Sequence, residues 1–269
     1  MLNLYRMNYK NICQQAAELA RNVGRELLDY REKNSLVVEA KAHNDFVTQM
    51  DKFSEAKLVE GLSKILPEAG FIAEEATRTD RGEHFNWIVD PIDGTTNFIH
   101  KLPPFAISIG LMEDGQMVVG VVYELCGDEL FTAWKFGGAY LNGLKINVST
   151  AQTIEQSLVS TGFPYNNFDR IEEYTTALLY FMRTSHGVRR HGSAATDLAY
   201  VACGRFDAFF EYDLKPYDVA AGVIILTEAG GKVSDFSYRD NYIFGREIVA
   251  TNGLVHDEFM SVIMKSFGK

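Results

Sequence analysis

The sequence has little cysteine, too little positive charge to balance its acids, and no apolar run long enough for a bilayer. Its three cysteines, Cys13, Cys126 and Cys203, lie far apart and form no metal-binding pair. They read as reduced, mostly buried residues of a cytoplasmic protein. No apolar stretch reaches the ~18 residues that span a membrane. Charged and polar residues run through the first segment, so no signal peptide is expected. Lys and Arg number 26 against 36 Asp and Glu, a net charge of −10. That argues against nucleic-acid binding as the main activity. It does not exclude an anionic substrate, because a bound divalent cation reverses the local field. The six histidines show no His-Glu-x-x-His pattern and no pair at ligand spacing, so zinc finds no site. Repeats, low-complexity linkers and a Rossmann glycine fingerprint are all missing.

What is present is a chain of 269 residues, 46% hydrophobic, enough for one large domain or two intimately packed halves. Ile12, Ala16, Leu19, Val23 and Leu27 recur at spacings of three and four and predict an amphipathic helix over residues 8–32. Asp51 opens a second predicted helix that Pro67 stops. Residues 71–75 read as a short strand ending in Glu74 and Glu75, which would point to opposite faces. Asp114-Gly115 and Asn142-Gly143 are hairpin signals, so residues 71–148 predict an antiparallel sheet. From about residue 150 strands alternate with helices. Ser193 is a suitable N-cap for a helix through Ala202, and residues 205–211 read as a strand. Pro216 breaks the chain before a helix that ends at Gly230-Gly231.

The chain is organised around Trp87-Ile88-Val89-Asp90-Pro91-Ile92-Asp93-Gly94-Thr95-Thr96-Asn97-Phe98. The apolar start is a buried strand, and Pro91, with no N–H, predicts a turn directly after Asp90. Gly94 permits a close approach or a positive φ, and Thr95 to Asn97 suit a helix start. Two carboxylates beside such a start fit Mg²⁺ or Mn²⁺ holding a phosphate. Asp-x-x-Asp-Gly taken alone reads first as an ordinary capped turn. Asp51 alone is equally a helix cap, and Asp218, in the first turn of its helix, is favoured there by the dipole alone.

The longer string resembles the first signature of the inositol monophosphatase family. Tyr217-Asp218-Val219-Ala220-Ala221-Gly222, with Glu228-Ala229-Gly230-Gly231, resembles the second. Tyr217 stands where the family usually has Trp. The resemblance runs from about Asn11 to the C-terminus. It implies a layered α/β/α/β/α sandwich of the sugar-phosphatase type, with an N-terminal half (1–150), a C-terminal half (151–269) and a homodimer. It implies lithium-sensitive, Mg²⁺-dependent hydrolysis of a phosphomonoester by water.

By the same resemblance two or three ions are held by Glu74, Asp90, the Ile92 carbonyl, Asp93 and Asp218. Glu74, Thr95 and Asp51 act on the water, and Gly94 and Thr95 hold the phosphate. Asp93, Gly192, Ser193, Ala194, Glu211 and Asp218 meet the substrate. Lys41 falls at a loop that closes over the site in bacterial members. A phosphoaspartate route would need an Asp-x-Asp motif, which is absent. The implied substrate is myo-inositol monophosphate. Fructose 1,6-bisphosphate, 3′-phosphoadenosine 5′-phosphate, histidinol phosphate and NADP remain alternatives, as does a catalytically silent binding protein. No membrane partner is expected.

Overall fold

A computed structural model describes residues 7–34, 36, 38–42, 45–78, 80–165 and 167–268. Helix α1 (Tyr9–Lys33) is capped by Asn8 and buries the predicted stripe of Ile12, Ala16, Val23 and Leu27. A hairpin of β1 (Val38–Ala42) and β2 (Asp45–Thr48) leads into α2 (Gln49–Ile65). Lys41 falls in β1, and its side chain lies outside the described residues. Asp51 does not open α2. Thr48 is the cap, accepting from the Met50 N–H, and the Asp51 carboxylate reaches back to the Thr48 N–H. This is a capping box, in which the acid sits three residues inside the helix.

The first sheet has the order β3 (Gly70–Ala73), β4 (Phe85–Asp93), β5 (Ala106–Glu113), β6 (Gln116–Glu124), β7 (Glu129–Trp134), β8 (Gly138–Leu141), β9 (Leu144–Ile146). Every neighbour is antiparallel except β3 with β4, which is parallel. Helix α3 (Thr95–His100) links β4 to β5. After a single 3₁₀ turn (Ile154–Gln156) come β10 (Leu158–Thr161), α4 (Ile171–Thr184), β11 (Gly187–Arg189) and α5 (Ala194–Ala202). The chain ends with β12 (Ala208–Tyr212), α6 (Pro216–Glu228), β13 (Lys232–Ser234), β14 (Glu247–Thr251) and α7 (His256–Ser266). The second sheet is ordered β11-β10-β12-β14-β13. Its β12 starts at Ala208, later than expected, because the Arg205 and Phe206 N–H groups turn back to the Tyr200 carbonyl and close α5.

The layers follow from period-two burial on the strands. On β4, Trp87 and Val89 face α1 and α2, while Ile88 faces α6. A second core, with Phe131, Leu198 and Ile225, fills the space between the sheets around α5 and α6. A third, with Phe181, Phe210 and Phe259, packs α4 and α7 on the far face of the second sheet. The result is the expected α/β/α/β/α sandwich.

Helix α6 lies close against the first sheet because both surfaces are small there. A Cβ on Gly120 would sit 2.4 Å from Ile224 Cγ2 and 2.6 Å from the Ala221 carbonyl. On the helix's other side, a Cβ on Gly222 would meet Leu198 Cβ at 2.5 Å. The small residues of the second signature are therefore packing residues, and they set where Asp218 stands. Cys13 is buried and Cys203 half-buried, whereas Cys126 is exposed, against expectation, on the β6–β7 turn. Among the described residues no helix is long and apolar enough to cross a membrane.

Candidate active site

The predicted turn at Pro91 is a bulge inside a continuing strand. Asp90 pairs with Ser108, and Asp93 pairs with Ala106. Three steps on β4 thus match two on β5, and the missing Pro91 N–H falls in the extra residue. Under strict alternation Asp90 and Asp93 would face opposite ways. The bulge lets both line one cavity of about 320 Å³, together with Glu74, Ile92, Gly94, Thr95, Gly192 and Asp218. Glu74 comes from the turn after β3, not from the strand itself, which ends at Ala73. Asp218 comes from the first turn of α6, where its Oδ2 accepts from the Lys215 N–H at 2.6 Å.

Gly94 takes φ +92°, a left-handed conformation that favours glycine, and caps α3. The first intrahelical bond is Phe98 N–H to the Gly94 carbonyl, 3.0 Å, so the amides of Gly94, Thr95 and Thr96 precede the ladder. Thr95 Oγ1 lies 3.1 Å from Asp51 Oδ1 and 3.0 Å from the Ile92 carbonyl. Asn97 donates to the Pro104 and His191 carbonyls, tying α3 to the segment before α5.

The electrostatics are those of carboxylates packed together. Burial pushes Asp90 well above the usual carboxylate range, and the charges of Glu74, Asp93 and Asp218 push it further. Contact with the Glu74 carboxyl raises Asp90 further still. Asp218 is raised by burial and by Asp93. Asp93 is pushed by burial up to about 6, with opposition from Ser193 and from the Ala195, Ala194 and Thr196 amides. Ser193 Oγ donates to Asp93 Oδ2 at 2.6 Å and the Ala195 N–H does so at 2.8 Å. A carboxyl–carboxyl contact is held by a proton or a cation. Among the described residues no group of three or more acidic, imidazole or thiol side chains is placed to hold a metal ion without some rearrangement. The donors are hard oxygens without His or Cys, and they fit Mg²⁺ or Mn²⁺.

The chain matches the inositol monophosphatase family over residues 8–267. It belongs to that family. It is 41% identical over 243 residues to the Nus factor SuhB of Escherichia coli (strain K12), covering 90% of each chain. It is 39% identical over 258 residues to the inositol-1-monophosphatase of Mesorhizobium japonicum, covering 95% of this chain and 96% of that one. The solved inositol monophosphatase of Anabaena superposes with a TM-score of 0.85 at 37% identity, over 96% of this chain and 97% of that one.

Of the residues expected at the site of this family member, Glu74, Asp90, Ile92, Asp93, Gly94, Thr95, Gly192 and Asp218 share the cavity. Asp51 stands behind Thr95. Ser193 reaches Asp93 and not the open space. Ala194 begins α5 beside them. Glu211 is 7% exposed on β12 and is not among the lining residues. Its carboxyl packs where a Cβ on Gly162 would sit, at 2.0 Å, and burial with Asp197 and Asp218 nearby raises its pKa. Tyr165, Asp213, Lys215 and Arg246 also line the cavity and escaped the sequence reading. Each lies in a loop between elements, where no periodicity marks a facing side chain. Two larger hollows, of about 520 and 540 Å³, lie over α1 and hold none of the expected residues.

Proposed function

We propose that the protein hydrolyses a small phosphomonoester, with myo-inositol monophosphate as its substrate, in a reaction that requires Mg²⁺. The observation that carries this reading is the convergence of four carboxylates and the Gly94–Thr95 helix start on one cavity. Glu74, Asp90, Asp93, Asp218 and the Ile92 carbonyl would hold the metal. When bound, the metal supplies charge neutralisation at the phosphate and a lowered pKa for the attacking water.

The chain's own groups do the rest. Asp51 is anchored at Oδ2 by the Thr48 N–H and hydroxyl, each at 2.7 Å, which leaves Oδ1 facing Thr95. With its proton directed to Asp51, Thr95 Oγ1 offers a lone pair to the water and can pass the proton on to the carboxylate. Glu74 orients the same water from the opposite segment. The Gly94 and Thr95 amides hold phosphate oxygens in the favourable field of a helix start. Asp93 and Asp218 orient substrate hydroxyls, with Gly192 closing the wall. Lys215 at the exposed rim favours an anionic substrate over a neutral one, while Arg246 beside it is paired with Asp213.

A second reading follows from the 41% identity to a chain named Nus factor SuhB. It is a regulatory role exercised by binding a partner. The full set of site carboxylates supports catalysis as the primary role. Phosphate release with Mg²⁺ tests both readings on a panel of inositol 1-phosphate, fructose 1,6-bisphosphate, 3′-phosphoadenosine 5′-phosphate, histidinol phosphate and NADP. Turnover of inositol 1-phosphate at the highest kcat/KM is expected. A higher kcat/KM for another ester replaces the substrate, and silence on all five favours the binding role.

A further inference from the structure

Helix α2 presents Asp51, Ser54 and Glu55 on one face, since residues three and four apart are neighbours on a helix. All three are buried. Asp51 holds Thr95, and Ser54 Oγ donates to the Pro91 carbonyl at 3.0 Å. Glu55, fully buried, accepts the Glu75 N–H at Oε2 and the Thr77 N–H at Oε1, each at 2.6 Å. Between those two amides Ala76 has φ +56°. That left-handed residue turns the flanking N–H groups toward one anion, as in a backbone nest. On the other side of the turn, the Glu74 N–H continues the ladder to the Val89 carbonyl at 3.2 Å.

We propose that Glu55 is a positioning residue for the metal site: its carboxylate fixes the 74–77 turn and thereby aims the Glu74 side chain into the cavity. The inference rests on the metal-dependent reading above. A buried anion is held only when hydrogen-bonded, and both its oxygens are used on this one turn. One face of one helix therefore sets three segments of the site: the Glu74 turn, the Pro91 bulge and Thr95. A purely structural buried acid would sit equally well against any loop. Glu228 shows the contrast, since its carboxylate clamps the Phe136 and Gly138 amides at 2.8 Å each. It stands at the end of α6 opposite Asp218 and touches no site segment.

The test compares Glu55→Gln with Glu228→Gln in the full chain, with Glu55→Asp as the variant that keeps the charge and retracts it by one methylene. Mg²⁺ affinity is measured by calorimetry, and amide exchange over residues 74–77 is measured on metal-free protein. Glu55→Gln places an NH₂ against a backbone donor. It is expected to weaken Mg²⁺ binding about ten- to a hundredfold, the effect of losing a group that orients a ligand, and to speed exchange at Glu75 and Thr77. Glu55→Asp should move both readouts in the same direction by less, and it decides the matter if Glu55→Gln does not fold. Glu228→Gln should change neither. Mg²⁺ affinity and exchange within twofold of the unmodified chain in a folded Glu55 variant would overturn the proposal. So would an equal loss of affinity in Glu228→Gln. Exchange is read without metal or substrate, so a chain that hydrolyses no phosphoester overturns the proposed function and leaves the Glu55 result legible.

Discussion

Ser193 Oγ donates to Asp93 Oδ2 at 2.6 Å, joining the cap of α5 to the end of β4 across one hundred residues of chain. The family resemblance implies that Ser193 meets the substrate. In the structure Ser193 caps α5 through the Thr196 N–H and holds the carboxylate of Asp93, one of the proposed metal ligands. A hydrogen bond to a charged acceptor contributes about 1.5–3 kcal/mol. Ser193→Ala should therefore raise the Mg²⁺ needed for half-maximal activity about tenfold. Asp93 keeps the Ala195 amide, so kcat at saturating Mg²⁺ should fall much less. A Mg²⁺ titration of the variant checks this.

Asp90→Asn should separate stability from function. Burial and three neighbouring carboxylates disfavour the Asp90 anion. Removing that charge relieves repulsion in the metal-free chain, so thermal unfolding without metal should occur at the same temperature or higher. Turnover should fall at least about a hundredfold, since a ligand matters no less than the groups that orient it. Calorimetry beside a phosphate-release assay reads both.

Gly120→Ala should act at a distance from the chemistry. The added methyl meets Ile224 Cγ2 and the Ala221 carbonyl and pushes α6 off the sheet. Overpacking of this kind costs about 1–3 kcal/mol. Asp218 rides on the first turn of the same helix, so loss of Mg²⁺ affinity should accompany the loss of stability. Denaturant unfolding and Mg²⁺ titration on one preparation test the coupling.

Stability should also fall in mild acid through His256. This imidazole is fully buried between Ser234 Oγ and Thr251 Oγ1, and burial lowers its pKa to about 4. The unfolded chain takes up a proton near pH 6.5 and the folded chain does not until about pH 4. In that window the unfolded state binds more protons, so stability falls as pH falls. The full effect, present below the folded pKa, is about 3 kcal/mol at 1.4 kcal/mol per pKa unit. Above pH 6.5 the contribution is flat. Denaturant unfolding between pH 7 and pH 4 should show a shallower slope in His256→Gln than in the unmodified chain.

The two family signatures were legible because each is a contiguous string at a turn or a helix start. The hairpins were legible from Asp114-Gly115 and Asn142-Gly143. What the sequence hid is long-range pairing. Nothing local in residues 51–55 says that Glu55 meets Thr77, or that Asp51 reaches Thr95 rather than only its own helix start. The bulge at Pro91 read as a strand end because a missing N–H looks the same in both cases, and only the partner strand distinguishes them. Arg246, Lys215 and Tyr165 come together from loops whose side-chain directions no periodic pattern records.

The proposed reaction is metal-dependent hydrolysis at the carboxylate cavity. Its most direct measurement is phosphate release from inositol 1-phosphate by the EDTA-treated chain, before and after Mg²⁺ is restored, beside Asp90→Asn. No release is expected without metal, full release on adding Mg²⁺, and almost none from Asp90→Asn at any Mg²⁺ concentration. Release that survives EDTA, or an Asp90→Asn protein as active as the unmodified chain, would contradict it.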